Sequence, residues 1–132
     1  MRKAPPMTSE IRTTLQDRIG RELPHLSEAE VDSLARIVER LVEAYQPQRV
    51  YFFGSKARGD AGPDSDFDLM VVVPDTAQAE RKRSRLGYEV LWGTGTAADV
   101  LVWTQERFET RSHLRASLPG TILREGRLLY AA

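Results

Sequence analysis

A chain of 132 residues is long enough to bury the core of one compact domain and too short for two ordinary ones. Its 19 Lys and Arg residues balance its 19 Asp and Glu residues, so no overall positive field favours nucleic acid, and no stable nucleic-acid complex is expected. Cysteine is absent, which excludes disulfides, thiolate metal sites and cysteine nucleophiles.

The sequence gives no indication of a membrane segment. The longest apolar run, residues 69–73, ends at Pro74 and is far shorter than the ~20 residues that a membrane-spanning helix needs. Residues 1–7 lack the apolar core of a signal peptide and are expected to form a flexible terminus. We therefore expect a soluble cytoplasmic protein without membrane contact, in which residues 8–132 form one domain.

Two helices are predicted before the first strand. Apolar residues at every fourth position predict a helix from Thr8 to Pro24 at the latest. Ser27 and Glu30 then form the S-x-x-E capping signature, and apolar residues repeat at helical spacing up to Pro47. The apolar stripe of the first helix is formed by Ile11, Leu15 and Ile19.

The middle of the chain predicts two strands around a short helix. β-Branched and aromatic residues over 49–53 indicate a strand that Gly54 closes. A short helix over residues 55–59 and a loop rich in Gly, Pro and Asp follow. Residues 66–73 become almost wholly apolar after Asp68, which predicts a central strand covered on both faces.

The remaining elements alternate between helix and strand. A helix is predicted over residues 77–92 and a strand over 99–103. Two further helices, over residues 104–112 and 117–125, carry a capping Thr and Ser respectively, and a last short strand covers 127–130. The pattern predicts an α/β (α+β) fold, with a short mixed sheet and helices packed on it.

One candidate for anion binding lies where the first strand gives way to the short helix. Free backbone N–H groups point outward at such a place, and Gly54 would let a phosphate approach the main chain closely. The hydroxyl of Ser55 adds a further donor for a triphosphate. Taken alone, the pair is more simply explained as a turn and helix cap, because short motifs match by chance.

Two carboxylates begin the next strand. Alternation places Asp66 and Asp68 on one face and Phe67 in the core. At ~4 Å, two such charges repel by about 4 kcal/mol in an effective dielectric of about 20, so a cation must offset them. An arginine could do so, but a magnesium ion would also bridge the carboxylates to phosphate oxygens.

A third carboxylate, Asp99, opens a later apolar strand. Adjacent strands lie ~4.8 Å apart, so Asp99 could lie beside the pair, although by itself it could equally be an exposed strand-end acid. Three carboxylates at neighbouring strand ends suit displacement at phosphorus with two metal ions, one activating the attacking hydroxyl and one holding the triphosphate. Asp99 could then help to deprotonate the acceptor.

These residues resemble the pattern of the polymerase-β-like nucleotidyltransferase superfamily. Gly54 and Ser55 precede Asp66-x-Asp68 by ten residues, and Asp99 lies on a later strand. The surrounding strings Gly-Ser-Lys-Ala-Arg-Gly-Asp and Asp-Ser-Asp-Phe-Asp-Leu are similar to its minimal MNT branch. The resemblance runs from about Val50 to Tyr130 and implies the fold of that superfamily there.

The resemblance also implies the cofactors and the roles of the site residues. ATP or another NTP would be the donor, and Mg²⁺ ions would act as a two-metal centre. Gly54 and Ser55 would contact the phosphates. The metal ligands would be Asp66, Asp68 and Asp99.

Several further residues have two interpretations each. Arg58 matches a frequent step of the motif and would either reach a phosphate or brace the loop against Asp64. The basic cluster at residues 81–85 is expected to be a solvated helix face, although an acidic partner or the triphosphate are alternatives. Trp92 and Trp103 could stack on a nucleobase, but we expect them to be core residues.

Proteins of the minimal branch are commonly the antitoxins of HEPN/MNT toxin–antitoxin pairs, and some adenylylate a tyrosine of the HEPN ribonuclease. The resemblance therefore implies Mg-dependent transfer of a nucleoside monophosphate, foremost AMP from ATP, to a hydroxyl of a HEPN-type partner protein. The alternatives are a non-catalytic partner-binding antitoxin module and a small-molecule transferase of the aminoglycoside type. Larger relatives carry a second, acceptor-binding domain, so a partner or second copy is expected to supply that role here, in a homo- or hetero-oligomer.

Overall fold

The computed structural model describes residues 9–62 and 65–132, with side chains from Arg12 onward. The elements in chain order are α1 (Ser9–Glu22), α2 (Glu28–Tyr45), β1 (Arg49–Phe53), α3 (Ser55–Arg58), β2 (Phe67–Val73), a 3-10 turn (Ala79–Lys82), α4 (Ser84–Leu91), β3 (Ala98–Thr104), α5 (Gln105–Ser112), α6 (Leu118–Glu125) and β4 (Arg127–Ala131). No helix in these ranges has the length and apolar character needed to cross a membrane. The predicted flexible segment, residues 1–7, lies outside the described residues.

The four strands form one mixed sheet in the order β3-β2-β1-β4. β2 pairs with β3 in parallel, whereas β1 pairs antiparallel with both β2 and β4. This arrangement confirms the predicted mixed sheet. The second strand begins at Phe67, one residue later than predicted, so Asp66 precedes the ladder.

The sheet is covered on both faces, as predicted for its central strand. Leu69 and Val71 of β2 belong to a core formed with α1, α2 and α4. The alternate residues Met70 and Val72 belong to a second core, which includes Phe108 of α5 and Ile122 of α6. Because side chains alternate along a strand, one run of apolar residues serves both layers.

The first two helices agree with the sequence patterns. Leu15 and Ile19 of α1 are buried, while the side chain of Ile11 and the predicted start at Thr8 lie outside the described residues. The capping box of α2 is formed: the hydroxyl of Ser27 accepts from the Glu30 N–H at 3.1 Å, and the Glu30 carboxylate accepts from the Ser27 N–H at 2.9 Å. The apolar stripe and the capping signature, which involve only residues close in sequence, were therefore sufficient to predict these two helices.

The single helix predicted over residues 77–92 is wrong. The chain forms a 3-10 turn, becomes extended at Arg83 (φ −119°, ψ 142°), and then forms α4. The buried hydroxyl of Tyr45 donates to the Arg83 carbonyl at 2.5 Å and accepts from the Gly87 N–H at 2.7 Å. A side chain from α2 thus occupies the first turn of α4, and burial raises the pKa of Tyr45 to about 12.

Gly87 also lets α4 approach the sheet closely. A Cβ at this position would lie 3.0 Å from Val100 Cγ1 and 3.2 Å from the Tyr45 hydroxyl. The packing of α4 on β3 therefore depends on contacts between residues that are distant in sequence. Periodicity along the sequence does not reveal such contacts, and for this reason it predicted one long helix incorrectly.

Candidate active site

Strand pairing brings two of the predicted carboxylates side by side. Asp68 of β2 is in register with Asp99 of β3 on one side and with Phe53 of β1 on the other. Asp66 lies two residues before Asp68 and is exposed, as is Asp99, whereas Asp68 is half-buried. The starts of two parallel strands thus place three acidic residues at one end of the sheet.

The electrostatics of Asp68 show that the three carboxylates influence one another. Burial makes the largest contribution to a raised pKa of Asp68, followed by the charges of Asp99 and then Asp66. The guanidinium of Arg58 acts in the opposite direction and lowers this pKa. The site therefore concentrates negative charge that the described residues offset only in part.

The backbone of Gly54 lies directly against the Asp68 carboxylate. Gly54 has φ 85° and ψ −167°, a conformation that L side chains rarely adopt. A Cβ at this position would overlap the carboxylate oxygen Oδ2 of Asp68. The sequence suggested that Gly54 makes room for a phosphate; the structure shows that it also makes room for Asp68. Gly54, half-buried Ser55, Asp68 and Asp99 are thus brought together.

The donor set of the site fits a magnesium ion. Its predicted ligands are carboxylate oxygens, which Mg²⁺ prefers, together with phosphate oxygens of a substrate. Within residues 9–62 and 65–132, no three His, Cys, Asp or Glu side chains are arranged so that they could hold a metal by themselves. Three mutually repelling carboxylates are expected to draw together only around a cation, so a ligand set shared with a triphosphate is consistent with this geometry.

Arg58 contacts two acidic residues at the rim of the site. Its Nε lies 3.2 Å from Asp60 Oδ2, and its Nη1 lies 3.7 Å from Glu125 Oε1. Both pairs are exposed, so each contributes little stability. Asp64, the partner considered from the sequence, lies outside the described residues. The role of Arg58 toward a phosphate stays a prediction.

The sequence analysis missed Lys56, the residue after Ser55. Lys56 is 8% exposed, and its Nζ lies 2.8 Å from Glu30 Oε2 and 5.1 Å from the centre of the Phe67 ring. Glu30 was recognised only as a capping residue. No local pattern links two residues 26 positions apart, so only the packing of α3 against α2 reveals the pair.

The prediction that Trp92 belongs to the core is wrong. Trp92 is 88% exposed and Tyr88 is 48% exposed. Leu91 and Gly87 form the buried side of α4, and Trp92, one residue further on, is rotated by about 100° away from it. Trp103 agrees better with the predicted core position, because it is half-buried and packs against the second core. The Arg107 guanidinium lies 3.8 Å from the centre of its ring.

A cavity of about 430 Å³ opens next to Asp66. Tyr88 of α4 and Trp92, which follows that helix, line it together with Gly93 and Gly95 from the segment before β3 and Ala98, the first residue of β3. This segment leads into β3, whereas Gly54 follows β1, and β3 and β1 flank β2 on opposite sides. The carboxylates therefore lie between the Gly54–Ser55 turn and an exposed aromatic surface.

Comparison with known proteins provides an independent view of the same residues. The family model described as a nucleotidyltransferase domain matches residues 34–129, a range that contains all of the predicted site residues. The bifunctional uridylyltransferase/uridylyl-removing enzyme of Psychrobacter sp. (strain PRwf-1) is 33% identical over 103 residues, which cover 74% of this chain. The match spans only 11% of that enzyme.

Solved structures show weaker likenesses. A toxin–antitoxin crystallised with AMP-PNP has a TM-score of 0.49 at 20% identity, covering 74% of this chain and 73% of its own. A candidate nucleotidyltransferase from Sulfolobus solfataricus has a TM-score of 0.49 at 19% identity, covering 99% of this chain and 92% of its own. TM-scores below 0.5 at such identities do not establish a shared function or partner.

Proposed function

Because the chain belongs to the nucleotidyltransferase domain family, we propose that it transfers a nucleoside monophosphate from an NTP, foremost AMP from ATP, to a hydroxyl of a partner protein. The observation that supports this most directly is the in-register pair of Asp68 and Asp99 beside the backbone of Gly54. A charge-rich site thus lies against the Gly54–Ser55 turn, which would contact the phosphates in the proposed reaction.

In the proposed reaction, the acceptor oxygen forms a bond to the α-phosphorus, and the bond from that phosphorus to the bridging oxygen breaks to release pyrophosphate. Bound Mg²⁺ ions would supply neutralisation of the triphosphate and a lower pKa for the acceptor hydroxyl. Asp66, Asp68 and Asp99 would hold the ions. Asp99, which is exposed at the start of the edge strand, would take the acceptor proton.

The donor and the acceptor would approach from opposite sides of the carboxylates. Gly54 and Ser55 would contact the phosphates on the β1 side. The exposed rings of Tyr88 and Trp92 beside Asp66 suit an acceptor with apolar surface, because exposed aromatic residues next to a cavity are typical of interaction sites. A protein acceptor fits this surface better than a small, highly polar sugar. Resemblance to the minimal MNT branch favours a HEPN-type toxin as the acceptor and an antitoxin role.

The proposal is tested by intact-mass spectrometry of a co-expressed partner protein, incubated with the chain, ATP and Mg²⁺. The wild type is expected to add whole AMP units to the partner. The double variant Asp66→Asn with Asp68→Asn should remain folded and add none, because it removes two of the three anionic ligands while keeping side-chain volume. Asp17→Asn, an exposed change on α1, is the matched control and should retain full transfer.

Two outcomes would contradict the proposal in different ways. Equal labelling by the wild type and the double variant would show that Asp66 and Asp68 do not support the transfer. If the wild type added no AMP but still neutralised the partner, the chain would instead be a partner-binding module that keeps the fold.

A further inference from the structure

An ion pair between a buried ammonium and a partly exposed carboxylate joins the second helix to the turn that leads into the site. Lys56 is the second residue of α3, and its side chain is only 9% exposed. Its ammonium lies 2.8 Å from Glu30 Oε2 and packs over the ring of Phe67, the first residue of β2. A buried ammonium without such a partner would cost several kcal/mol in desolvation, so its position is tightly specified.

Glu30 is held in place before it meets Lys56. Its Oε1 accepts from the Ser27 N–H at 2.9 Å, which completes the capping box at the start of α2. Its Oε2 is thereby directed to Lys56. The hydrogen bond from Lys56, followed by the one from the Ser27 backbone, lowers the pKa of Glu30, so the carboxylate is ionised at neutral pH.

A second contact holds the backbone of the same residue. His25 Nε2 lies 2.6 Å from the carbonyl oxygen of Lys56. The short connection between α1 and α2 thus contacts α3 through His25, while the first turn of α2 contacts it through Glu30. Both residues precede position 34, where the match to the family model begins.

The short helix that these contacts hold has little stability of its own. α3 has four residues, and the backbone bonds at its ends include Arg58 N–H to the Gly54 carbonyl at 3.1 Å, with Gly59 N–H and Asp60 N–H both donating to the Ser55 carbonyl at 2.9 and 3.1 Å. A single helical turn is unstable in isolation, because nucleation fixes many dihedral angles for few hydrogen bonds. Tertiary contacts must therefore fix the orientation of Gly54 and Ser55 relative to Asp68.

From these contacts we infer that Glu30 and Lys56 are positioning residues for nucleotide binding, which keep the Gly54–Ser55 turn in place against the carboxylates. Neither side chain needs to touch the nucleotide. The inference rests on the proposed function for its substrate, an NTP, but its structural part concerns the order of α3 alone. It predicts that Glu30, a residue outside the matched family segment, influences nucleotide affinity through Lys56.

The first test measures amide hydrogen exchange over residues 54–60 in the protein without nucleotide. Glu30→Gln keeps the size of the side chain but removes the charge that pairs with Lys56. We expect exchange in this segment to accelerate roughly tenfold, the effect of losing a charge-assisted hydrogen bond. Glu28→Gln, an exposed change in the same first turn of α2, should leave the exchange unchanged.

The second test separates positioning from general stability through the kinetics of nucleotide use. Glu30→Gln should raise the KM for Mg-ATP roughly tenfold and leave kcat within about twofold, because the reacting groups stay intact once nucleotide orders the turn. Lys56→Met should have the same effect, and Lys56→Arg, which keeps the cation, should restore most of the affinity. A urea unfolding curve for each variant checks that the fold persists.

The results distinguish this inference from the proposed function. Unchanged exchange in Glu30→Gln would overturn the inference, whether or not the chain transfers nucleotides. Faster exchange in a protein that transfers no nucleotide would contradict the proposed function and leave the positioning pair intact. A roughly tenfold fall in kcat for Glu30→Gln, with no change in KM, would overturn the inference about nucleotide binding. A failure of Lys56→Arg to restore affinity would overturn it as well.

Discussion

Two clusters of charge lie on opposite faces of the same strand end. The Phe67 ring contacts the buried Lys56 ammonium, which pairs with Glu30, whereas the next residue, Asp68, is in register with Asp99. In the first cluster, a partly exposed carboxylate meets a buried ammonium of opposite charge, and the pKa of Glu30 is lowered. In the second, like charges gather at a more exposed position, and the pKa of Asp68 is raised.

The difference shows how one strand end can combine a rigid ion pair with carboxylates whose charge is not neutralised. A pair of opposite charges stabilises its own geometry once both groups are buried and hydrogen-bonded. A group of like charges is destabilised until a cation binds, so it is suited to capturing one. Period-2 alternation between residues 67 and 68 keeps the two clusters apart although they are adjacent in sequence.

The largest effect is expected at Gly54, which lies against the Asp68 carboxylate and immediately precedes α3. Gly54→Ala would place a Cβ against the Asp68 carboxylate and force an unfavourable positive φ. We expect a loss of about 1–3 kcal/mol in the free energy of unfolding, and roughly a 100-fold loss of transfer through displacement of the site. Gly62→Ala, whose added Cβ would meet no atom within 4 Å among the described residues, is the control. Urea unfolding and transfer assays would measure both, and an undisturbed Gly54→Ala protein would contradict the described geometry.

The next largest effect on stability is expected within the pair of Glu30 and Lys56, where the two substitutions should differ in cost. Glu30→Gln leaves the Lys56 ammonium buried without a full counter-charge, while Lys56→Met leaves a partly exposed carboxylate that still accepts from Ser27. We expect Glu30→Gln to cost about 2 kcal/mol and Lys56→Met about 1 kcal/mol in urea unfolding. The reverse order would show that the cation, rather than its partner, is the better solvated group.

The same pair gives a pH dependence with a defined sign. Because the folded pKa of Glu30 is lowered, its contribution to stability is present above the ordinary value of 4.5 and is lost as pH falls through the folded pKa. The stability of the wild type should therefore approach that of Glu30→Gln in acid and exceed it at neutral pH. Urea unfolding of both proteins between pH 3 and pH 7 (roughly the window of carboxylate titration) measures this difference.

A smaller effect of opposite sign is expected for the like-charged cluster. The folded pKa of Asp68 is raised, so the stability linked to its protonated form is present below the ordinary value of 3.8 and is lost as pH rises through the folded pKa. In the absence of metal, Asp68→Asn should stabilise the protein by about 0.5 kcal/mol at neutral pH and have no effect in acid. Thermal unfolding with EDTA tests this; added Mg²⁺ should stabilise the wild type more than the variant.

The smallest change in stability is expected outside both clusters, at Trp92. Because this side chain is 88% exposed, Trp92→Ala should alter the free energy of unfolding by less than about 0.5 kcal/mol. If the acceptor contacts this surface, the variant should label the partner protein more slowly while the KM for Mg-ATP is unchanged. Leu123 is also an exposed apolar residue but lies on α6, so Leu123→Ala is a matched control. Equal labelling by both variants would place the acceptor elsewhere.

Most of the secondary structure could be predicted because its signals are local. The capping box of α2, the apolar run of β2 and the turn at Gly54 each depend on residues within a few positions of one another. The helix over residues 77–92 could not be predicted correctly, since the hydroxyl of Tyr45 interrupts it from another element. The exposure of Trp92 depended in turn on which side of α4 meets the sheet.

The sequence by itself determined the acidic residues, the glycine turn and their order along the chain, because motif spacing and strand alternation are properties of neighbouring residues. Only the tertiary structure decided that Asp99 is the register partner of Asp68, and that the absence of a side chain at Gly54 leaves space for the Asp68 carboxylate. It also decided that Lys56 is bound to a residue 26 positions away. Strand register and the pairing of buried charges depend on how distant segments pack, and no local pattern encodes them.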